Sequence, residues 1–157
     1  MSDRIVILDH GTIQQIGLPE QLYNRPDTRF VADFLGKSNF LKANVRGQLD
    51  GALECESGGE RFNVAGDKPS CNGADSVLLA LRPERIRIGA HGTERFHGVV
   101  RQTSYLGERC HLIVDHPGFG GVLVSAPTWR MKVHPEAGGE VSFGWDDDAC
   151  VVLAEDQ

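Results

Sequence analysis

No apolar run in these 157 residues approaches the roughly 20 needed to span a bilayer. The opening MSDRIVILDHG has neither the long apolar core nor the small-residue cleavage site of a secretion signal. A soluble, unexported chain is therefore expected. Cysteine is sparse: Cys55, Cys71, Cys110 and Cys150 are far apart and form no C-x-x-C, so nothing points to a zinc ribbon or a disulfide framework. Reduced, partly buried thiols are the expectation. Basic charge is short as well, with 16 Lys and Arg against 22 Asp and Glu, a net charge of -6 and no cluster of the kind that tracks phosphates. With only 7% aromatic residues to stack on bases, a nucleic-acid partner is not expected. What the chain does have is 40% hydrophobic residues and the length for one domain plus an appendage, which together support a buried core.

The apolar run Ile5-Val6-Ile7-Leu8 lacks period-2 alternation and reads as a strand covered on both faces. His10-Gly11 supplies a tight turn, and Thr12 to Ile16 returns as the second strand of a hairpin. Two strands alone are marginal in water, so this hairpin needs a partner. Pro19 and Glu20 suit the first turn of a short helix that Pro26 prevents from continuing. Asp27 is placed to cap the next helix, where Phe30, Val31, Phe34 and Leu35 form an apolar stripe and Gly36 provides the stop. From there on, short β-type runs alternate with Gly, Asp, Asn and Pro. The expected strands are Phe40 to Gln48, Ala52 to Cys55, Arg61 to Val64, Ser76 to Leu81, Arg85 to Ile88, His97 to Tyr105, Arg109 to Asp115, Gly121 to Ser125, Glu140 to Gly144 and Cys150 to Leu153. That spacing reads as a small barrel or sandwich, with Pro83 at a bulge or a barrel edge. A domain boundary is placed near Gly36 to Ser38.

Several fragments imitate catalytic or binding signatures. Gly36-Lys37-Ser38 ends like a P-loop, but Val31 stands where the first glycine belongs, and a helix precedes where a strand is required. Ser57-Gly58-Gly59-Glu60 echoes a transporter ATPase signature yet lies between two β-type runs, as a hairpin loop would. The histidines at 10, 91, 97, 111, 116 and 134 show no H-x-x-x-H or H-E-x-x-H spacing. Cys110, His97 and His111 could meet across paired strands, although surface or core histidines are the commoner outcome. Asp146-Asp147-Asp148 lacks the Gly and distal Glu of a calcium loop and reads as a turn. No G-x-S-x-G elbow singles out a nucleophile. Arg109 or Arg130 with nearby amides and hydroxyls could face a small anion, but loop closure between strands is the favoured reading of those segments.

Taken in order, the motifs resemble one family: the ATPase subunits of bacterial ABC importers of the polyamine, maltose and ferric-iron type. The resemblance is carried by MSDRIVILDHGTIQQIGLPEQLYNRPDTRFVADFLGKSNFL, most strongly over Ser2 to Leu41. It continues in LALRPERIRI, GVVRQTSYLGERCHLIVD and VSFGWDDDACVVL. GKSNFL is most similar to the spermidine/putrescine importers. The resemblance implies a mainly β fold: a small OB-type β-barrel of the transport-associated (TOBE) kind over 37–157. Before it, over 1–36, it implies a β-hairpin and two short helices left over from an α/β nucleotide-binding domain. It implies that the P-loop, signature helix, Walker B strand and switch histidine lie before Met1. This chain would then hold neither ATP nor Mg, which belong to the parent subunit, and would not itself be an enzyme. No catalytic, cofactor or metal residue is carried over. Arg82, Pro83 and Glu84, with Tyr105, Leu106 and Gly107, match the family motifs and are expected to shape the barrel and its partner surface. The implied role is regulation and dimerisation; the alternative is a domain that senses a small oxyanion or the transported substrate. The implied partners are a second copy and the membrane permease subunits. The implied location is cytoplasmic, peripheral at the inner face of the bacterial inner membrane. The uncovered hairpin and the Phe30-Val31-Phe34-Leu35 stripe also predict self-association.

Overall fold

The computed structural model describes residues 3–49, 51–66, 76–90, 92–131 and 135–153; Cys71, His91 and His134 lie outside them. The chain begins with an antiparallel hairpin, β1 (Ile5–Asp9) and β2 (Thr12–Gly17). Its turn has His10 at φ 48° and Gly11 at φ 78°, the two positive values that let a two-residue loop follow the twist of the strands. Helices α1 (Pro19–Asn24) and α2 (Arg29–Leu35) follow. They cover one face of the hairpin only. Ile7 packs with Leu22 and Val31 in a small core of its own, whereas Val6 and Leu8 are exposed. The expectation of a strand buried on both faces is thus corrected.

Two further details of this segment differ from the sequence reading. The cap of α2 is Thr28, whose hydroxyl accepts from the Val31 N–H at 3.3 Å; Asp27 is instead tied back by its own N–H, which donates to the Gln15 side chain at 3.0 Å. Within the apolar stripe, Val31 is buried and Phe30 and Leu35 partly so, but Phe34 is 66% exposed and stacks on Phe30. The buried position on the other side of the helix is Ala32.

Among the remaining described residues ten strands form two five-stranded antiparallel sheets. The first has the order β12-β6-β3-β4-β5, from β3 (Asn39–Leu49), β4 (Ala52–Ser57), β5 (Glu60–Ala65), β6 (Ser76–Leu81) and β12 (Cys150–Leu153). The second has the order β10-β9-β8-β11-β7, from β7 (Arg87–Ala90), β8 (Phe96–Leu106), β9 (Arg109–His116), β10 (Gly120–Pro127) and β11 (Glu140–Gly144). Alternation gives β4 and β9 a clear inner face: Leu53 and Cys55 on β4, and Cys110, Leu112 and Val114 on β9, are all fully buried in one shared cluster. Every expected strand is present, and the one expected at Arg85 to Ile88 is shifted: Pro83 opens a 3₁₀ turn, Pro83–Arg85, and the strand starts two residues later than expected, at Arg87. Among the described residues no helix is long and apolar enough to cross a membrane.

Polar contacts lie along the margins of the sheets. Ala65 N–H donates to the Asp147 carbonyl at 2.8 Å, linking the edge of β5 to the Asp146–Asp148 turn. At the other margin the Asn39 side chain behaves as a peptide group: its amide donates to the Leu123 carbonyl and its oxygen accepts from the Leu123 N–H, both at 2.8 Å. At one end the β4–β5 turn, with Gly58 at φ 58°, lies backbone against backbone on the turn after β9, so that a Cβ built on Gly118 falls 1.9 Å from the Gly58 carbonyl oxygen.

Cys55, Cys110 and Cys150 are all buried free thiols. Burial raises the pKa of each, and for Cys150 the neighbouring Cys55 adds to the effect. Because the thiolate is the reactive form, native-state treatment with iodoacetamide should leave these three unmodified for as long as it takes the unfolded chain to be fully alkylated. Peptide mass spectrometry checks this, and alkylation of Cys110 in the native chain would contradict it.

Candidate functional site: the Arg82 clamp and the barrel seam

Strand β6 ends at Leu81, and Pro83 then takes the first position of the 3₁₀ turn, where a missing N–H costs nothing. The turn is closed by Arg85 N–H to the Arg82 carbonyl at 3.0 Å and Ile86 N–H to the Pro83 carbonyl at 3.3 Å. It leaves the Arg82 side chain pointing away from the barrel core, into the helices. Arg82 is only 7% exposed. Its Nη1 donates to the carbonyls of Ala32 at 3.0 Å and Lys37 at 3.1 Å, and its Nε and Nη2 to that of Tyr23 at 3.4 and 3.2 Å. One guanidinium therefore collects carbonyls at the end of α1, within α2 and in the connection to β3, which a five-donor planar fork can do and an ammonium cannot.

The same cation lies over the Tyr23 ring, 4.1 Å from its centroid. The Tyr23 hydroxyl donates to the Glu84 carboxylate, two residues beyond the arginine. Burial lowers the Arg82 pKa, and the charges of Tyr23, Glu84 and Asp33 oppose that shift. The Tyr23 phenol is raised by burial first, then by its hydrogen bond to Glu84. Gly36 completes the arrangement: its φ of 161° is ordinary extended backbone, but a Cβ there would come within 3.3 Å of the Tyr23 ring and 3.4 Å of the Arg82 Nη1. Close approach, and not a left-handed helix stop, is what this position asks of glycine.

The second motif lies elsewhere. Tyr105 and Leu106 end β8 and are exposed, and Gly107, at φ 69°, makes the turn into β9. A 3₁₀ turn, Thr128–Arg130, is held beside that tip by Thr128 N–H to the Glu108 carbonyl at 2.8 Å and Thr128 Oγ1 to the Gly107 carbonyl at 2.9 Å. Arg109 is bound within the strand pair, Nε to Ser125 Oγ at 2.9 Å and Nη2 to the Ser125 carbonyl at 3.2 Å. The structure thus gathers Arg82 and Glu84 around Tyr23, with Pro83 setting their turn, and puts Tyr105, Leu106 and Gly107 on a hairpin tip. His97 and His111 do not meet: His97 pairs with Ser142 near the start of β8, while His111 lies opposite Ser104 near its end.

Glu84 also borders a cleft of about 580 Å³ where the two edges of the second sheet, β7 and β10, approach one another without a shared ladder. Ile86, Ile88, Met131 and Pro135 give it apolar walls. At the opposite end of the second sheet, His116 is buried with its Nδ1 accepting from the N–H groups of Gly118 and Phe119, each at 3.0 Å, and its Nε2 3.3 Å from Glu60. Its ring stacks on Phe119 at 4.3 Å, in an aromatic group that includes Phe96 and Trp145. Sequence reasoning does not single out Tyr23, Asn39 or His116. Their partners are 61, 84 and 56 residues away, and no local spacing announces them.

With this geometry in place, comparison with known proteins is informative. Residues 79–153, from within β6 to the end of β12, match the profile of the TOBE domain. The Spermidine/putrescine import ATP-binding protein PotA of Rubrobacter xylanophilus is 32% identical over 157 residues, covering 98% of this chain and 41% of that protein. The Putrescine transport ATP-binding protein PotG of Escherichia coli is 33% identical over 164 residues, covering 98% of this chain and 42% of that protein. PotA 1 of Pseudomonas aeruginosa is 47% identical over 95 residues, covering 59% of this chain and 25% of that protein. The chain spans less than half the length of these relatives. In fold it is similar to the cytoplasmic molybdate-binding protein ModG, with a TM-score of 0.59 at 10% identity over 74% of this chain and 96% of that one. The first two of these relatives align with the hairpin, the helices and the barrel together, so the chain as a whole is similar to the TOBE-bearing part of the ATP-binding subunits of bacterial spermidine/putrescine importers.

Proposed function

We propose that this chain is the regulatory and subunit-pairing region of the ATP-binding subunit of a polyamine importer, acting at the cytoplasmic face of the membrane beside permease subunits. The observation that carries the reading is the Arg82 clamp. A barrel that regulates an ATPase has to be fixed to it, and here one buried side chain ties the barrel to both helices of the segment shared with the importer subunits. The chain itself does no phosphoryl transfer in this reading, since that chemistry needs a phosphate cradle, a metal site and a positioned water. The exposed apolar side chains of the hairpin and of α2, Val6, Leu8, Ile13 and Phe34, favour a chain that associates.

The test is genetic and direct. Disrupting the coding region in the source organism should abolish energy-dependent uptake of radiolabelled spermidine and putrescine, and restoring it should recover that uptake. Unchanged polyamine uptake with loss of some other solute would refute the substrate assignment, and unchanged uptake of every solute would refute the importer role.

A further inference from the structure

The joint between the N-terminal hairpin-helix unit and the barrel is built differently from the cores on either side of it. The unit has its own core, Ile7, Leu22 and Val31 with Ile5, Phe30 and Leu35, and the barrel has a much larger one. Between them the buried apolar residues are Ala32, Ala80 and Leu153, flanked by Phe40 and Leu78. Two of the three buried groups are alanine methyls, which offer little surface to hold a joint shut. Beside this small patch the joint is crossed by polar contacts: the Arg82 fan of bonds to the Tyr23, Ala32 and Lys37 carbonyls, the Tyr23 hydroxyl on Glu84, and Arg29 over the Phe40 ring at 4.6 Å. In the connecting segment itself, the Ser38 hydroxyl is buried with no hydrogen-bond partner. Such a group gains a partner as soon as water reaches it.

We propose that Tyr23, Arg82 and Glu84 form a latch, and that the N-terminal unit leaves the barrel as a local event about Gly36 to Ser38 while the barrel core stays closed, with the Tyr23–Glu84 bond setting how often it does so. Polar contacts exchange for water at little net cost, whereas a packed core does not. Intrachain interfaces of this modest, polar kind are the ones that move. Arg82 and Glu84 act here as positioning residues. The use of such a latch in transport rests on the proposed function. The opening itself is a property of this chain and is measured on it, so an uptake experiment and the one below can fail separately.

The joint carries its own reporter position. Ser38→Cys is nearly isosteric and places a thiol in the joint, in a Cys71→Ser background where the remaining native thiols, Cys55, Cys110 and Cys150, are buried in the barrel. The alkylation rate of the introduced thiol reads joint opening, and alkylation of the native three reads opening of the barrel. Adding Tyr23→Phe should accelerate the reaction of the introduced thiol at least about threefold with no change at Cys110. Glu84→Gln, which keeps an acceptor for the Tyr23 hydroxyl, should stay closer to the parent rate than Glu84→Ala. An unchanged rate at the joint thiol in Tyr23→Phe would overturn the latch. So would an equal acceleration at Cys110, which would make the pair an ordinary contact of the whole fold, and so would indistinguishable rates for the two Glu84 variants.

Discussion

Arg82→Ala should divide the unfolding of this chain into two steps. The substitution removes a buried cation that serves the Tyr23, Ala32 and Lys37 carbonyls at once. The docking of the N-terminal unit should weaken by about 1.5–3 kcal/mol, the range for losing hydrogen bonds to a charged group. The barrel loses no core side chain and should keep its own transition. The unit, a hairpin and two helices of six and seven residues, has no means of standing alone once undocked. Calorimetry should therefore show a new low-temperature step. Trypsin should cut after Arg29 or Lys37 well before it cuts the barrel strands. Arg82→Lys should recover less than half of the loss, because one ammonium cannot reach three carbonyls in the fork geometry. A single transition at the unaltered midpoint in Arg82→Ala would show that the guanidinium is dispensable for docking.

Gly118→Ala should be costly for a different reason. The new methyl group would sit 1.9 Å from the Gly58 carbonyl oxygen, and the opposing atoms are backbone on both sides, so no rotamer change relieves the contact. Gly58 meets the same obstacle in reverse, at 2.4 Å from the Gly118 backbone, and carries a positive φ in addition. One of the two turns has to retreat, and the His116 ring that caps the second turn would lose its two N–H donors. A destabilisation above about 2 kcal/mol is expected for Gly118→Ala, and more for Gly58→Ala with its added backbone strain. Denaturant melts of both variants check this. Gly120→Ala is the control: its φ is also positive, but a Cβ there meets nothing within 4 Å. It should lose only the backbone contribution, roughly 1 kcal/mol. Equal losses at Gly118 and Gly120 would remove the steric account.

The contrast between Gly118 and Gly120 marks the limit of what the sequence discloses. Periodicity places the strands because alternation is local: Glu140 to Gly144 and Cys150 to Leu153 coincide with β11 and β12. The hairpin turn is legible in His10-Gly11 for the same reason. Thr28 displaces Asp27 as helix cap because adjacent residues compete for one role and only the backbone path decides between them. Gly36 stands at a helix end as expected, but its function, making room for Arg82 and Tyr23, depends on a strand that begins forty residues later. Arg82, Pro83 and Glu84 are singled out through family resemblance alone. Nothing in LALRPERIRI reveals that the arginine faces the helices and the carboxylate waits for a tyrosine.

Asn39 has a consequence for how this chain behaves in a crowded solution. An edge strand with open N–H and carbonyl groups is a template on which another chain can pair and aggregation can begin. At Leu123, on the edge strand β10, both groups are already taken by the amide of Asn39. One side chain from the start of β3 thus imitates a neighbouring strand for a single rung and denies that rung to any stranger. The residue at the start of β3 orders the fold and closes one rung of an open edge with the same pair of hydrogen bonds.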